Sequence, residues 1–303
     1  VGPARTRPPP APAIRTRMLR CHTFRRSHQQ RSSPAPAAAP QHPVPTPNPH
    51  FLVPDDLLRA DTERMRRDAR PLSRPLVILA GYRSPRISAW SLERLLRPVI
   101  GGADAPILSV AYPERGSIPG AARIVLERVV GRFGHTPPEL DVVGISMGGL
   151  VARAMQAGLI EGLPPLRTAR LFTLATPHRG ARLANLIAPD AAARDMRPGS
   201  AFLRRLDDAL SERPIDLTCY ALLRDWWVGT ENTAPPGRDP HWLDPHTPFA
   251  KAMAHFAVTQ DPRLALDLAR RLRGEEPLAQ RATPPPRRRE PRPAPAPTRQ
   301  PTR

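Results

Sequence analysis

Short, mostly apolar runs alternate along this chain with segments whose apolar positions recur at helical spacing. The run at 76–80 is uninterrupted, and those at 107–110, 140–143, 171–174 and 215–223 each contain one or two polar residues. The segments with helical spacing lie at 55–69, 88–96, 118–133, 149–157 and 262–272. An uninterrupted apolar run is typical of a strand in a parallel sheet, which helices cover on both faces. The alternation therefore predicts an α/β domain with a mostly parallel sheet and helices on both faces.

The two ends of the chain differ in composition from the segment between them. Residues 1–50 contain eight arginines, twelve prolines and no acidic residue, and residues 274–303 contain seven arginines, nine prolines and three glutamates. Neither end has an apolar period that could bury a core, so both are expected to be disordered extensions rich in proline and arginine. The predicted folded domain is 51–273, with a small cap near 181–212 between two strands.

The formal net charge of +19 is spread over the whole chain. The two extensions carry +8 and +4, which leaves +7 for the predicted domain. Lys251 is the only lysine among 46 basic residues, a bias towards arginine that GC-rich codon usage produces. No recognition-helix, RNA-binding or zinc-finger pattern accompanies the charge, so we expect no specific nucleic-acid partner.

Cysteine content and hydropathy limit the class of protein and its compartment. Cys21 and Cys219 are the only cysteines, which excludes a disulfide framework and a zinc site built from four cysteines. No window has the length of a transmembrane span, and the arginine-rich start has no continuous apolar segment of the kind found in signal peptides. A cytoplasmic protein is therefore expected, and Val1 at the first position favours a gene model that begins too early over a processed chain.

One pentapeptide carries the strongest chemical signal. Directly after the apolar run 140–143, residues 144–148 have the sequence Gly-Ile-Ser-Met-Gly, with glycine two positions before and after Ser146. This is the pattern of a nucleophile elbow, a sharp turn between a strand and a helix where bulkier residues would collide with neighbouring backbone. The alternative is a glycine-rich turn of a nucleotide-binding domain, but the chain has neither G-x-G-x-x-G nor a P-loop lysine pattern. Ser146 is therefore predicted to be a catalytic nucleophile.

Two segments resemble the α/β-hydrolase family of bacterial lipases and esterases. Residues 143–153, V-G-I-S-M-G-G-L-V-A-R, resemble the elbow of that family. Residues 171–180, L-F-T-L-A-T-P-H-R-G, resemble its next strand and turn, with the signature T-P-H-x-G. The segments occur in the family's order, and the resemblance extends over about 76–272. It implies an α/β-hydrolase fold and a catalytic triad in the chain order serine, acid, histidine.

Asp225 is the carboxylate best placed to be the acid of that triad. It follows the predicted strand 215–223, and catalytic groups collect at the carboxyl ends of parallel strands. Residues 225–229, D-W-W-V-G, also resemble the family's aspartate followed by a short turn that contains valine. Glu231 and Asp239 in the same loop are alternatives, and the purely structural explanation of Asp225 is a turn cap or an ion pair.

Three histidines follow Asp225 and could take the proton of a serine hydroxyl. His255 lies a few residues before the final predicted helix, where the resembling family has its base, and it is preferred over His246 and His241. His178 precedes Asp225 in the chain, so it does not fit the family's order. In its T-P-H-x-G turn it is expected to shape the wall of the site.

A serine hydrolase also needs two N–H groups that stabilise the developing oxyanion. The backbone of Met147, directly after the nucleophile, should supply one. The resemblance assigns the other to Tyr82, because Gly81 and Tyr82 stand after the first strand at the position of the family's H-G-x turn. Ala80 departs from the family there, since it stands in place of the usual histidine.

Together with the resemblance, these residues predict a serine hydrolase that cleaves carboxylic esters through an acyl-enzyme, without a metal or organic cofactor. The expected substrate is an ester with an apolar acyl chain, either a small molecule or a lipid. Apolar residues of the predicted cap and the two tryptophans after Asp225 could line an acyl pocket or pack as ordinary core; they are Leu183, Leu186, Ile187, Phe202, Leu203, Leu206, Trp226 and Trp227. Two alternatives stay open: an acyltransferase on the same scaffold, and a non-catalytic binding protein that uses its proline-rich ends. The oligomeric state is also left open.

Overall fold

Parallel strands form the centre of the computed structural model, which describes residues 48, 51, 53–68, 70–84, 87–113 and 116–286. Within these residues the sheet has six strands: β1 (Leu76–Leu79), β2 (Ile107–Val110), β3 (Leu140–Ile145), β4 (Thr168–Leu174), β5 (Asp216–Leu222) and β6 (His241–Leu243). Their order across the sheet is β2-β1-β3-β4-β5-β6, and every pairing is parallel. The carboxyl ends of all six strands therefore meet at one edge, where loops can bring distant residues together.

Helices cover both faces of this sheet. Those in the described residues are α1 (Asp55–Arg67), α2 (Ile87–Leu96), α3 (Ile118–Phe133), α4 (Met147–Gln156), α5 (Arg182–Leu186), α6 (Ala191–Asp195), α7 (Ala201–Glu212), α8 (Pro248–Ala252), α9 (Ala254–Ala257) and α10 (Pro262–Leu272). Alternate side chains of β1 enter two separate cores: Ile78 packs in a core with α1, α2 and α10, and Val77 in a core with α3, α4 and α7. The predicted parallel sheet with helices on both faces is confirmed. Among the described helices, none is both long enough and apolar enough to cross a bilayer.

Strand β6 is absent from the sequence-based prediction, whereas each of the other five strands overlaps a predicted apolar run. Its three residues lie between Pro240 and Pro245, and so short a segment shows no period. In the structure it pairs with β5, with Tyr220 opposite His241 and Leu222 opposite Leu243. The partner strand, rather than the local sequence, therefore defines β6.

The folded domain extends beyond the predicted boundary at residue 273. Ala279 is fully buried, and its N–H donates to Asp267 Oδ1 at 3.0 Å. The indole N–H of Trp242 donates to the Thr283 hydroxyl at 3.1 Å. At the other end, the buried Asn48 side chain donates to the Trp242 carbonyl at 2.9 Å. Residues 1–47, 49–50 and 287–303 of the two predicted disordered extensions lie outside the described residues.

Residues between β4 and β5, where a cap is predicted, form α5, α6 and α7. In α7, the apolar residues Phe202, Leu203 and Leu206 are buried in the core. Leu186 and Ile187 at the end of α5 are instead 80% and 64% exposed. These residues of α7 therefore pack as ordinary core, whereas the apolar residues at the end of α5 are exposed to solvent.

Candidate active site

Ser146 lies in a sharp turn between β3 and α4, and its backbone is strained. Its φ is 51°, a left-handed value that residues with a side chain rarely adopt. Two hydrogen bonds hold it there: the Ser146 N–H donates to the Leu174 carbonyl at 2.8 Å, and the Thr176 hydroxyl donates to the Ser146 carbonyl at 2.8 Å. Strain of this kind persists only where the surroundings enforce it, and it collects at functional sites.

Close backbone contacts require the glycines of this turn. A Cβ at Gly144 would overlap the backbone of Gly149, and a Cβ at Gly148 would overlap the carbonyl oxygen of Leu79. A Cβ at Gly149 would overlap the Thr176 side chain. These three positions have no room for a side chain, which is the physical reason for the glycine pattern in the sequence.

We expect Gly144→Ala to lower the free energy of unfolding by about 3 kcal/mol or more, or to prevent folding, because its Cβ would displace packed main chain. The matched control is Gly131→Ala in α3, where a Cβ meets no atom within 4 Å. At this helical position the same substitution should raise the free energy of unfolding by about 1 kcal/mol. Urea denaturation followed by circular dichroism measures both variants. A Gly144→Ala protein as stable as the wild type would contradict the elbow geometry.

A continuous series of hydrogen bonds connects Ser146 to two residues far away in the chain. Ser146 Oγ lies 3.1 Å from His255 Nε2, and His255 Nδ1 lies 2.9 Å from Asp225 Oδ2. A carboxylate only accepts hydrogen bonds, so Nδ1 carries the proton and Nε2 is left as the acceptor for the serine hydroxyl. In this arrangement an imidazole can take the proton of the serine.

Backbone N–H groups hold the Asp225 carboxylate in place. Its Oδ1 accepts hydrogen bonds from the N–H groups of Trp227 and Val228, each at 3.0 Å, which leaves Oδ2 for His255. Glu231, an alternative acid, is exposed and paired with Arg182. The carboxylate that meets the imidazole is therefore that of Asp225, rather than that of Glu231 or Asp239.

The three candidate histidines occupy different environments. His255 is within hydrogen-bond distance of Ser146, whereas His241 lies in β6 with its ring centroid 5.7 Å from that of Tyr220. Burial, and then the positive charge of Arg271, lower the pKa of His241 to about 4. His246 is exposed in the loop after β6. The described histidines, cysteines and acidic residues include no group of three or more placed to hold a metal ion.

Two aromatic side chains fix the orientation of the His255 ring. The Trp227 ring stacks on it with the centroids 5.8 Å apart and the planes within 6° of parallel. Phe256 meets the same imidazole edge-on, with the centroids 5.4 Å apart. The side chain of His255 is 11% exposed, so these contacts also limit the access of water to it. Trp227 therefore contacts the imidazole directly, and its place in an acyl pocket stays a prediction.

The two backbone groups predicted to bind an oxyanion are both near Ser146. Met147 is the first residue of α4, and a Cβ on Gly81, next to Tyr82, would lie 3.2 Å from Ser146 Cβ. In the described part of the chain, neither the Met147 N–H nor the Tyr82 N–H donates a hydrogen bond to another protein group. The first N–H groups of a helix, such as that of Met147 in α4, have no partner within the helix, and Tyr82 lies in the loop after β1. Their role in binding an oxyanion remains a prediction.

The residue that departs from the family pattern, Ala80, is held by a buried hydroxyl. Tyr112 is 1% exposed, and its hydroxyl donates to the Ala80 carbonyl at 2.6 Å. The Ala80 N–H donates to the Val110 carbonyl at 2.9 Å. The start of the loop that carries Tyr82 is therefore anchored without the family's histidine.

The prediction that His178 shapes the wall of the site is wrong, because its side chain is fully buried. Its Nδ1 lies 3.0 Å from Arg153 Nη1, and its Nε2 lies 3.0 Å from Thr173 Oγ1. Since arginine only donates hydrogen bonds, Nδ1 is the acceptor, and Nε2 carries the proton and donates to the threonine. Burial, and then the positive charge of Arg153, lower the pKa of His178 well below its ordinary value. This histidine is therefore a neutral part of the core.

This burial predicts acid sensitivity of the fold. Below the ordinary histidine pKa of 6.5 the unfolded chain binds a proton at His178, whereas the folded protein does not. The free energy of unfolding should therefore fall as the pH drops below about 6.5, by at most about 1.4 kcal/mol per pH unit for this group. Urea denaturation between about pH 5 and 7 measures this slope. His178→Gln should reduce the slope, and substitution of the exposed His135 by Gln should not. Equal slopes in all three proteins would contradict the assignment.

Comparisons with solved structures identify the fold. The chain is similar to Aspergillus fumigatus lipase B, with 15% sequence identity, a TM-score of 0.50, and coverage of 82% of this chain and 68% of that chain. It is also similar to mature Bacillus licheniformis lipase BlEst2, with 14% identity, a TM-score of 0.43 and coverage of 63% and 88%. The corresponding values for the esterase domain of a Rhodothermus marinus protein are 18%, 0.40, 65% and 88%. No family model matches the sequence, and no curated protein matches it. The likeness to lipase B and the parallel sheet show that this chain has the α/β-hydrolase fold.

Proposed function

We propose that this α/β-hydrolase-fold protein is a serine hydrolase that cleaves carboxylic esters. The observation that carries the proposal is the series of hydrogen bonds from Ser146 through His255 to Asp225, beginning at a strained elbow. A serine hydroxyl becomes an effective nucleophile when an adjacent base takes its proton and a third group orients that base. The Ser146 hydroxyl, 3.1 Å from the imidazole, and the Asp225 carboxylate, 2.9 Å from its other nitrogen, support this assignment.

The reaction proceeds in two halves. Ser146 Oγ bonds to the ester carbonyl carbon while its proton passes to His255 Nε2, and the carbonyl oxygen becomes an oxyanion held by the N–H groups of Met147 and Tyr82. The oxyanion collapses, the bond to the alcohol oxygen breaks, and the alcohol leaves with the proton from Nε2. Water then attacks the acyl-enzyme, gives a proton to Nε2, and releases the carboxylic acid as the serine is protonated again. Asp225 stabilises the imidazolium in each half.

Exposed apolar side chains next to the triad favour esters with an apolar acyl chain. Trp226, beside the acid, is 50% exposed, and Phe256, beside the base, is 41% exposed. The α5 helix lies beside these side chains, because the Leu183 N–H donates to the Trp227 carbonyl at 3.0 Å. Further exposed apolar residues lie at the end of α5, in α8 and directly after α8; they are Leu186, Ile187, Phe249 and Met253. Covering such side chains with an acyl chain removes apolar surface from water, which stabilises the complex.

Hydrolysis of p-nitrophenyl esters of increasing acyl length by the full chain tests the proposal. We expect turnover, a rapid first release of p-nitrophenol as the acyl-enzyme forms, and higher kcat/KM for the longer apolar chains. Prior treatment with a fluorophosphonate should remove the activity. Adding an alcohol and finding more transesterified product than free acid would favour an acyltransferase. A folded protein that neither hydrolyses any ester nor reacts with the fluorophosphonate would contradict the proposal.

A further inference from the structure

The loop that carries Tyr82 passes close to the nucleophile and is itself strained. A Cβ placed on Gly81 would lie 3.2 Å from Ser146 Cβ, so the Gly81 backbone lies close to the nucleophile. Arg83 has a φ of 47°, in the left-handed region that residues with a side chain rarely adopt. A strained backbone of this kind needs contacts that enforce it.

Asp190, from the segment between β4 and β5, supplies such contacts. The Tyr82 hydroxyl donates to Asp190 Oδ2 at 2.6 Å, and the Arg83 guanidinium donates to the same oxygen at 2.9 Å. The other oxygen, Oδ1, accepts the Ala193 N–H at 2.9 Å and caps the N-terminus of α6. One oxygen therefore anchors the carboxylate in its own segment, and the other binds two consecutive side chains of the loop.

The surroundings leave room for this carboxylate and keep it charged. A Cβ at Gly116 would lie 2.8 Å from Asp190 Oδ2, so a side chain at this position would displace it. The Gly116 carbonyl accepts the Ala192 N–H at 2.9 Å, which holds the two segments together. Partial burial alone would raise the pKa of Asp190, but the hydrogen bonds from Tyr82, Ala193 and Arg83 outweigh it and lower that pKa. Asp190 is therefore an anion at neutral pH.

We propose that Asp190 is a positioning residue, which holds the backbone N–H of Tyr82 in the orientation that receives the oxyanion. The inference rests on the proposed function, because it assigns a task within the same reaction. Rotating the peptide at Tyr82 away from the nucleophile would move the Tyr82 and Arg83 side chains, and it would break their bonds to Asp190 Oδ2. An oxyanion donor is effective only about 2.7–3.1 Å from the developing charge, so small rotations of this peptide weaken catalysis.

Two substitutions separate this task from the structural role of Asp190. Tyr82→Phe removes the hydroxyl that donates to Asp190 and leaves the helix cap intact. Asp190→Ser keeps a residue that caps helices well, and it removes the bonds to Tyr82 and Arg83. Each variant should lower kcat for a p-nitrophenyl ester by about 10- to 100-fold, because complete loss of one oxyanion donor costs about 10²–10³-fold. KM should change by less than about threefold, since the donor acts mainly on the transition state.

Ser200→Ala is the matched control, because Ser200 caps the nearby α7 through its hydroxyl and does not contact the loop. Its kcat should stay within about twofold of the wild type, although it loses a cap of comparable strength. An alkylboronic acid forms a tetrahedral adduct with the serine and provides a second measurement. Its inhibition constant should rise in Tyr82→Phe and Asp190→Ser by about the factor by which kcat/KM falls, because transition-state analogues bind through the same contacts.

The outcomes distinguish failure of this inference from failure of the proposed function. Wild-type kcat in Tyr82→Phe and Asp190→Ser, in a protein that does hydrolyse esters, would overturn the inference and leave the function standing. A rise in KM with unchanged kcat would also overturn it, because the contacts would then serve substrate binding. A wild-type protein without hydrolysis or fluorophosphonate labelling would overturn the proposed function and the inference with it.

Discussion

Replacing Ser146 by alanine is expected to lower kcat/KM for ester hydrolysis by about 10⁴-fold or more and to abolish labelling by a fluorophosphonate, because the members of a triad act as a unit. The acyl-enzyme cannot form without the Ser146 hydroxyl, and no other described side chain takes its position 3.1 Å from His255 Nε2. Alanine keeps the Cβ, so the elbow loses only one oxygen. Steady-state kinetics and gel fluorescence of the labelled protein measure the two effects.

The control for Ser146→Ala is a demonstration that the fold survives. Both residues have the same Cβ and have to adopt the same φ of 51°, so the urea midpoint should change little. Ser200→Ala should keep both its labelling and its turnover. Undiminished labelling of Ser146→Ala would exclude Ser146 as the nucleophile, and undiminished turnover would exclude the proposed reaction.

Asp225→Asn is expected to lower kcat by about 10⁴-fold, because it reverses the tautomer of the base. The N–H groups of Trp227 and Val228 hold Oδ1 and would keep the amide oxygen of asparagine there. The NH₂ group would then face His255 Nδ1, which would have to accept a hydrogen bond instead of donating one. The proton of the imidazole would consequently lie on Nε2, opposite Ser146 Oγ, where it prevents transfer from the hydroxyl.

Two substitutions of the same kind in the same loop serve as controls. Glu231→Gln removes an exposed carboxylate paired with Arg182, and Asp239→Asn removes the third carboxylate of the loop. Both should keep kcat within about threefold of the wild type, because the carboxylate bound to His255 is that of Asp225. A large loss in either control, together with an active Asp225→Asn variant, would transfer the role of the acid to that residue.

Different parts of the site could be predicted from the sequence to different extents. The glycines and Ser146 of the elbow lie within six consecutive positions, so their pattern is visible in the sequence. Only the contact of Gly144 with Gly149 is local, whereas Gly148 lies against Leu79 and Gly149 against Thr176. The sequence leaves four alternatives to the pairing of Asp225 with His255, because loops and short elements separate these residues and no period relates them. The hydroxyl of Thr176 also escaped prediction: it lies in the T-P-H-x-G segment, but the sequence does not indicate that it binds the Ser146 carbonyl.

The α/β class, five of the six strands and the turn at Ser146 follow from the amino-acid sequence alone, because apolar periodicity and the glycine pattern are each visible within a few consecutive residues. Three other features are visible only in the folded protein: β6 is a strand, His178 belongs to the core, and Asp190 binds Tyr82 across 108 positions. These features depend on which surfaces the packed sheet brings together at its carboxyl edge. Contacts between residues so far apart arise from the path of the whole chain and leave no pattern in the local sequence.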